Sequence, residues 1–342
     1  MKFPKLISFF SKPRDRILSA VSVDGVQWRR ERGVRINSGK SCPPGTDMAY
    51  YCFVHHGYNG ERNYEMFYHA GEELSDGNWF TKIMRATSPD GLTWSTDVNP
   101  VIVRGAHPLC EKRVIAPYLV HFKDFRRLYF TGVCQNGVYR ILSAVSKNRK
   151  EWVIEPGSRI EPDNCNAVSA KRISNTDITG VSDTSIVQLK DGSYRMYFTA
   201  IKKTIFHQDI RSAVSIDGLN WSIEDGIRIP AGGKDYKMIA NNPCVIPFEN
   251  GWRMYFRGTD RLPLWSNIFV AFSDDGIRWD VQGITLKFKR YAKYERHGVA
   301  FPFVMSLDNS QYRMYYTGYW GNLLDHSAVN YYLRLYEKEG II

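Results

Sequence analysis

The chain lacks the short signatures of the commonest enzyme classes. It has no G-x-x-x-x-G-K-[ST] loop, no G-x-G-x-x-G opening a helix, no H-E-x-x-H and no cysteine–histidine cluster at zinc spacing. These absences argue against P-loop chemistry, Rossmann-type dinucleotide binding and the common zinc sites, so neither a metal nor a cofactor is expected. Cysteine is sparse: Cys42, Cys52, Cys110, Cys134, Cys165 and Cys244 are scattered over 342 residues without a C-x-x-C pair. That excludes a disulfide framework and fits reduced, mostly buried thiols of an intracellular protein. The N-terminal apolar run, Leu6 to Phe10, is too short for a signal-peptide core or a bilayer span. A cytoplasmic location is the expectation.

What the chain does have is core material and positive charge. A hydrophobic content of 43% and an aromatic content of 14% exclude a disordered chain. Lysine and arginine number 46 against 35 acidic residues, a net charge of +11. This balance favours an anionic partner, such as a phosphorylated or lipid-linked sugar or an acidic glycan. The basic residues follow no RRM or helix-turn-helix pattern, so no nucleic acid is expected. Residues 1–15 read as a basic leader. Its Leu and Phe, flanked by Lys2, Lys5, Lys12 and Arg14, suit peripheral membrane contact through residues 1–16.

The strongest signal is a repeat. "SVDGVQW" (Ser22 to Trp28) returns as "SPDGLTW" (Ser88 to Trp94), "SKNRKEW" (Ser146 to Trp152), "SIDGLNW" (Ser215 to Trp221) and "SDDGIRW" (Ser273 to Trp279), with tryptophans 66, 58, 69 and 58 residues apart. Each period also carries an aromatic strand: "YEMFYHAG", "RRLYFTG", "YRMYFTA", "WRMYFRG" and "YRMYYTG". An apolar run precedes each of these: "AYYCFV", "IAPYLV", "DTSIVQL", "NPCVIP" and "FPFVM". One four-stranded antiparallel sheet per period predicts an all-β, five-bladed β-propeller over residues 16–342, a single domain. The chain begins with the third and fourth strands of the blade whose first two strands come last, so pairing the two ends closes the ring and removes open edges. The leftover run "VNYYLRLY" (Val329 to Tyr336) leaves six blades as the alternative.

Repetition decides the role of the hairpin aspartates. Asp-Gly between strands is a turn device, because glycine accepts positive φ and the carboxylate caps backbone N–H groups. Asp24, Asp90, Asp217 and Asp275 are therefore read as structural, since a catalytic acid is needed once. Chemistry belongs instead where innermost strands converge on the channel mouth. The register there places Ala116, Asp183, Asn242 and Phe301 at equivalent positions, and Asp47 or Ala49 in the first blade.

"VSDTSIVQLKDGSYRMYFTA" (Val181 to Ala200) resembles the inner-strand signature of the five-bladed propeller glycosidases, the arabinanase, β-xylosidase, invertase and levansucrase superfamily. The resemblance implies carboxylates from separate inner strands, acting as base or nucleophile, as general acid and as a tuning residue. Asp183, Asp47 and Glu295 are the catalytic candidates on this basis. Glu111, Arg113, Asn242, His297 and Arg257 are candidates for substrate binding, the arginines through bidentate contacts to an anionic group. The resulting expectation is a glycosidase-type enzyme that hydrolyses or transfers a glycosyl unit in an intracellular glycan or glycoside pathway. Ala116 and Asn242, where acids are expected, motivate two alternatives: a propeller that only binds glycans or scaffolds a complex, and one recruited to non-glycosidic chemistry.

Overall fold

The computed structural model describes residues 15–39, 46–57, 63–74, 79–170, 178–202, 207–259, 265–307 and 310–319. Strands β1 (Arg16–Ser22) and β2 (Arg29–Arg30) open the chain. The first complete blade follows: β3 (Met48–His56), β4 (Tyr64–Glu73), β5 (Trp79–Ser88) and β6 (Ser95–Thr96), with β7 (Ile102–Val103) also on β5. The second holds β8 (Arg113–His121), β9 (Arg126–Val133), β10 (Tyr139–Ser146) and β11 (Val153–Ile154). A nine-residue helix, α1 (Pro162–Ala170), leads to the third: β12 (Ile178–Gln188), β13 (Tyr194–Lys202), β14 (Gln208–Ser215) and β15 (Ser222–Ile223). The fourth holds β16 (Ile239–Phe248), β17 (Gly251–Thr259), β18 (Ser266–Ser273) and β19 (Asp280–Leu286).

The fifth blade joins the two ends of the chain. β20 (Gly298–Ser306) pairs with β21 (Tyr312–Tyr319), and β21 pairs antiparallel with β1 from Arg16↔Gly318 to Ser22↔Tyr312. This is the closure read from the repeat. Among the described residues the strands thus form five antiparallel units, four of them four-stranded and the first carrying β7 as a fifth strand. The run at 329–336, on which the six-blade alternative rests, and residues 1–14 of the basic leader lie outside the described residues. No helix among the described residues is long and apolar enough to cross a membrane.

The second strands carry the core because neighbouring blades cover both of their faces. In β9 every residue from Arg126 to Val133 is buried. Tyr129, Tyr197, Tyr255 and Tyr315 meet the hairpin tryptophan of the next blade edge-on, at 6.0, 5.6, 5.8 and 6.0 Å between ring centroids.

The same four tyrosines form part of a repeated latch. Tyr255 donates its hydroxyl to the Gly25 carbonyl at 2.8 Å, and Arg253 Nη1 donates to the Asp24 carbonyl at 2.7 Å. Tyr129 and Arg127, Tyr197 and Arg195, and Tyr315 and Arg313 grip the hairpins at Gly218, Gly276 and Gly91 in the same way. Each hairpin is held rigid for this by its own side chains: Asp24 Oδ1 accepts from Val26 and Gln27 N–H at 2.8 Å, and Ser22 Oγ from Gly25 N–H at 2.8 Å. Those backbone bonds hold the Asp24 carboxyl below its usual range. Gly25 is obligatory for two reasons, since its φ is +69° and a Cβ there would lie 1.9 Å from Arg253 Nη1 and 2.8 Å from the Tyr255 hydroxyl.

The seam between the first and second blades lacks the latch. Its hairpin is the decayed "SKNRKEW", in which Arg149, at φ +64°, takes the glycine position. A Cβ there excludes both gripping groups, and the neighbouring blade has neither: Phe67 replaces the tyrosine and Glu65 the arginine. Phe67 still meets Trp152 edge-on at 5.8 Å. Glu65 instead accepts from His55 at 2.6 Å, from Arg85 and, across the seam, from Arg126 at 2.6 Å.

Candidate active site

Each innermost strand is broken by a bulge at the same level. Tyr51, Ala116, Asp183, Asn242 and Phe301 all have positive φ, from +50° to +55°, and the ladders to β4, β9, β13, β17 and β21 skip a register at these residues. The extra residue turns its side chain toward the propeller axis. Aspartate and asparagine tolerate this conformation, whereas tyrosine, alanine and phenylalanine are strained in it. Because all five blades share the bulge, it belongs to the architecture. What distinguishes Asp183 is its carboxyl group.

The previous blade supports the bulges. Thr131 Oγ1 accepts from the Asp183 N–H at 3.3 Å, and Thr199 Oγ1 from the Asn242 N–H at 3.1 Å. These threonines occupy one position of the repeated aromatic strand, so the site is positioned by the same repeat that builds the core.

The bulges enclose a cavity of about 30 Å³, lined by Tyr51, Ala116, Asp183, Asn242 and Phe301 and by the residues that follow them. It has room for one or two waters and none for a pyranose ring. Pro117, Pro243 and Pro302, each next to a bulge residue, stiffen its wall. Beside the cavity lies an aromatic group: Tyr51 against Phe301 at 3.7 Å, Tyr50 stacked on Phe301 at 5.5 Å, Tyr50 against His69 at 4.3 Å, and Tyr319 edge-on to Phe301 at 6.0 Å.

Asp183 is the one charged residue type lining the cavity among the described residues. It is 4% exposed. Burial raises its pKa, and donors at Tyr51, Thr199, Ser182 and Asn242 only partly offset this. Asn242 Nδ2 donates to Asp183 Oδ2 at 2.7 Å and to the Tyr51 hydroxyl at 3.1 Å. Asp183 Oδ1 and Asn242 Oδ1 are both buried without a hydrogen-bond partner among the described residues.

The other sequence candidates fall elsewhere. In the first blade the axial position belongs to Tyr51, not to Asp47 or Ala49: Asp47 precedes β3 and bonds through its N–H to the Gly71 carbonyl at 2.8 Å. The longer connection between β3 and β4 shifts the count from the aromatic strand. Glu295 does not line the cavity. It is 3% exposed, accepts from Arg30 at 2.7 to 2.9 Å and from the Tyr316 hydroxyl at 2.6 Å, and so ties β2 to the segment before β20. Glu111 is exposed after a 3-10 turn at Pro108–Cys110. His297 bonds through its N–H to the Tyr319 carbonyl at 3.2 Å.

The two arginine candidates border the aromatic group. Arg257 is buried with its guanidinium 5.8 Å from the Tyr319 ring centroid. The charge of Arg113 acts on Tyr50 and on His69, and His69, mainly by burial, is lowered to about 3 and is neutral at pH 7. No group of three or more His, Cys, Asp or Glu able to hold a metal ion occurs among the described residues. The five described cysteines are buried thiols, none of them in a disulfide.

No family model matches the chain, and no curated protein matches it. Solved structures do. A thermostable family-43 glycoside hydrolase has a TM-score of 0.60 at 13% identity, over 81% of this chain and 90% of that one. A β-1,2-mannobiose phosphorylase from Listeria innocua has a TM-score of 0.61 at 14% identity, over 79% and 88%. The GH43_1 enzyme from Xanthomonas citri, solved with xylose, has a TM-score of 0.57 at 14% identity, over 80% and 82%. The chain therefore has the propeller fold of glycoside hydrolases and phosphorylases. At this identity the likeness establishes the fold alone.

Proposed function

We propose that the protein is a carbohydrate-active enzyme of the glycosidase type, with Asp183 as its proton donor. The observation that carries this is the Asp183 carboxyl: axial, buried, raised in pKa and with one oxygen unengaged, in a fold shared with glycoside hydrolases and phosphorylases. A carboxyl that burial makes hold its proton more tightly than an exposed one suits transfer of that proton to the leaving glycosidic oxygen as the C–O bond breaks, while an acceptor adds to the anomeric carbon. The ring does not fit the cavity, so the sugar sits on the mouth side, with its leaving oxygen directed toward Asp183.

The acceptor follows from what is missing. Hydrolysis uses a second carboxylate about 5 Å away, or about 6.5–9.5 Å away when a water stands between. Among the described residues Asp183 is the one carboxylate that lines the cavity, and Asp47 lies outside it, before β3. That favours, as a second reading, an acceptor that carries its own charge, with inorganic phosphate attacking the anomeric carbon to leave a glycosyl phosphate. The net charge of +11 supports phosphate, or a phosphorylated or lipid-linked sugar, as a partner, and a cytoplasmic pathway belongs to the same proposal.

The test is turnover of a panel of glycosides, with and without inorganic phosphate, by the full chain and by Asp183→Asn. Loss of turnover by at least a hundredfold with sugar binding retained is expected. Full activity in the variant refutes the assignment, and sugar binding without any turnover supports a binding propeller instead.

A further inference from the structure

Asp183 and Asn242 are more specifically arranged than a lone buried acid requires. Their side chains are 4% and 3% exposed, line the same cavity and are joined by the 2.7 Å bond from Asn242 Nδ2 to Asp183 Oδ2. That bond occupies one end of each group and leaves Oδ1 of each, both buried and without a partner among the described residues. Two unpaired buried acceptors side by side are costly, because each has given up its water without gaining a donor. The cost falls if one of them carries a proton and becomes a donor.

The surroundings say which one. An asparagine carbonyl does not protonate in this range, and a carboxyl does. The oxygen already accepting from Asn242 is Oδ2, so the proton belongs on Oδ1. The other titratable groups that line the cavity are neutral at pH 7, and the cations Arg113 and Arg257 stand outside its lining, behind the aromatic group. From β3 come Tyr51 and Cys52, from β8 Tyr118 and from β16 Cys244, whose thiol burial pushes up to about 12; burial also raises the other three. Behind Tyr51 stands neutral His69. From β9, β12 and β13 come the uncharged Thr131, Ser182 and Thr199. No cationic side chain lines the cavity among the described residues, so only neutral donors offset a buried anion there.

We propose that Asp183 and Asn242 form a neutral acid–amide pair that binds one hydroxyl group, Asp183 Oδ1–H donating to its oxygen and Asn242 Oδ1 accepting its hydrogen. A hydroxyl both accepts and donates, which matches the two free positions. The volume of about 30 Å³ admits one such group and excludes a ring. The hydroxyl is that of a water in the resting protein and that of a sugar when a ligand is bound. The pair rests on the reading of Asp183 as proton donor only for the sugar, and it holds the proton on Oδ1 until a leaving glycosidic oxygen, which has no hydrogen to give Asn242, takes the place of the hydroxyl. Asn242 is then a positioning residue: its Nδ2 pins Oδ2, so that the proton stays on the oxygen that faces the ligand.

Two measurements on the full chain test this without requiring turnover. The infrared spectrum at pH 7 is expected to show a protonated-carboxyl C=O band that is lost in Asp183→Asn. In a second variant, Asn242→Leu, the band is expected to persist but shift, because Oδ2 has lost its donor. A crystal structure at a resolution that places waters is expected to show one oxygen within hydrogen-bond distance of both Oδ1 atoms. Soaking with xylose or β-1,2-mannobiose distinguishes the sources: replacement by a sugar oxygen identifies a substrate hydroxyl, and an unchanged peak identifies a structural water. A carboxylate band in place of the protonated one, or an empty cavity with and without sugar, overturns the pair. If the band is present and no glycoside is turned over, the pair stands and the glycosidase reading falls.

Discussion

Glu65 stands where four of the five blades carry an arginine, and the structure predicts that restoring the repeat there will damage the protein. Glu65 and Arg126 pair across the seam at 2.6 Å with side chains 9% and 5% exposed. Removing the acid leaves Arg126 buried without its charge partner, which costs about 3–5 kcal/mol. The Arg85 contact adds little, because that side chain is 31% exposed. Glu65→Gln should therefore lose about 3–5 kcal/mol in urea unfolding at pH 7. Glu65→Arg should lose more, since it adds a cation beside Arg85 and Arg126 and has no room to reach the hairpin past the Arg149 Cβ. Replacing Arg149 by glycine reopens that space, so Glu65→Arg combined with Arg149→Gly should recover about 0.5–3 kcal/mol relative to additivity. Burial works to raise the Glu65 carboxyl, and His55 with Arg126 and Arg85 overcomes it and holds the group far below its ordinary value. Its stabilisation is accordingly present above the unfolded value of about 4.3 and lost as pH falls below it, so the gap between wild type and Glu65→Gln should shrink below about pH 4. A Glu65→Arg variant as stable as wild type, or a Glu65→Gln deficit independent of pH, refutes this account of the seam.

At an intact seam, Tyr255→Phe removes the donor from the buried Gly25 carbonyl and should cost about 1–3 kcal/mol in thermal or urea unfolding. Phe67→Tyr, which adds that hydroxyl where Arg149 fills the space, should also destabilise and should be rescued by Arg149→Gly. The raised Asp183 carboxyl makes an opposite pH prediction: the folded state holds its proton more tightly, so wild type loses stability as pH rises from the unfolded value of about 3.9 through the folded value. Asp183→Asn should lack that loss, becoming the more stable form toward alkaline pH in parallel urea titrations, and an unchanged difference between pH 4 and pH 9 contradicts it. Glu295→Gln should lower stability by about 3–5 kcal/mol through Arg30 while the folded fraction keeps its turnover. Loss of activity with stability intact would return Glu295 to the catalytic candidates.

Much of this was legible because the repeat rests on local chemistry. Serine, aspartate and glycine at fixed offsets make a hairpin wherever they occur, and an aromatic strand must be covered on both faces. From these the blades, the closure by β1 on β21 and the equivalence of Ala116, Asp183, Asn242 and Phe301 could be read. Tyr51 could not be read by counting from the aromatic strand, because the connection from β3 to β4 is longer in the first blade. Glu295 resembled a mouth carboxylate only while its partner Arg30, 265 residues away, was unknown. The decayed hairpin was visible, but its matched changes at Glu65 and Phe67 became meaningful only when the seam brought them together.

The sequence by itself determined the architecture, since five copies of one strand pattern have few ways to bury their aromatic faces other than around a ring. It also singled out Asp183 as the acid among the residues that share its register. Only the tertiary structure decided what that acid is. Its protonation depends on groups from separate blades, on Asn242 and Tyr51 beside the carboxyl, on the absence of a cation along the described cavity wall, and on a volume of about 30 Å³ that holds no more than one or two waters. Those are properties of distances across the propeller axis, and no local stretch of chain contains them.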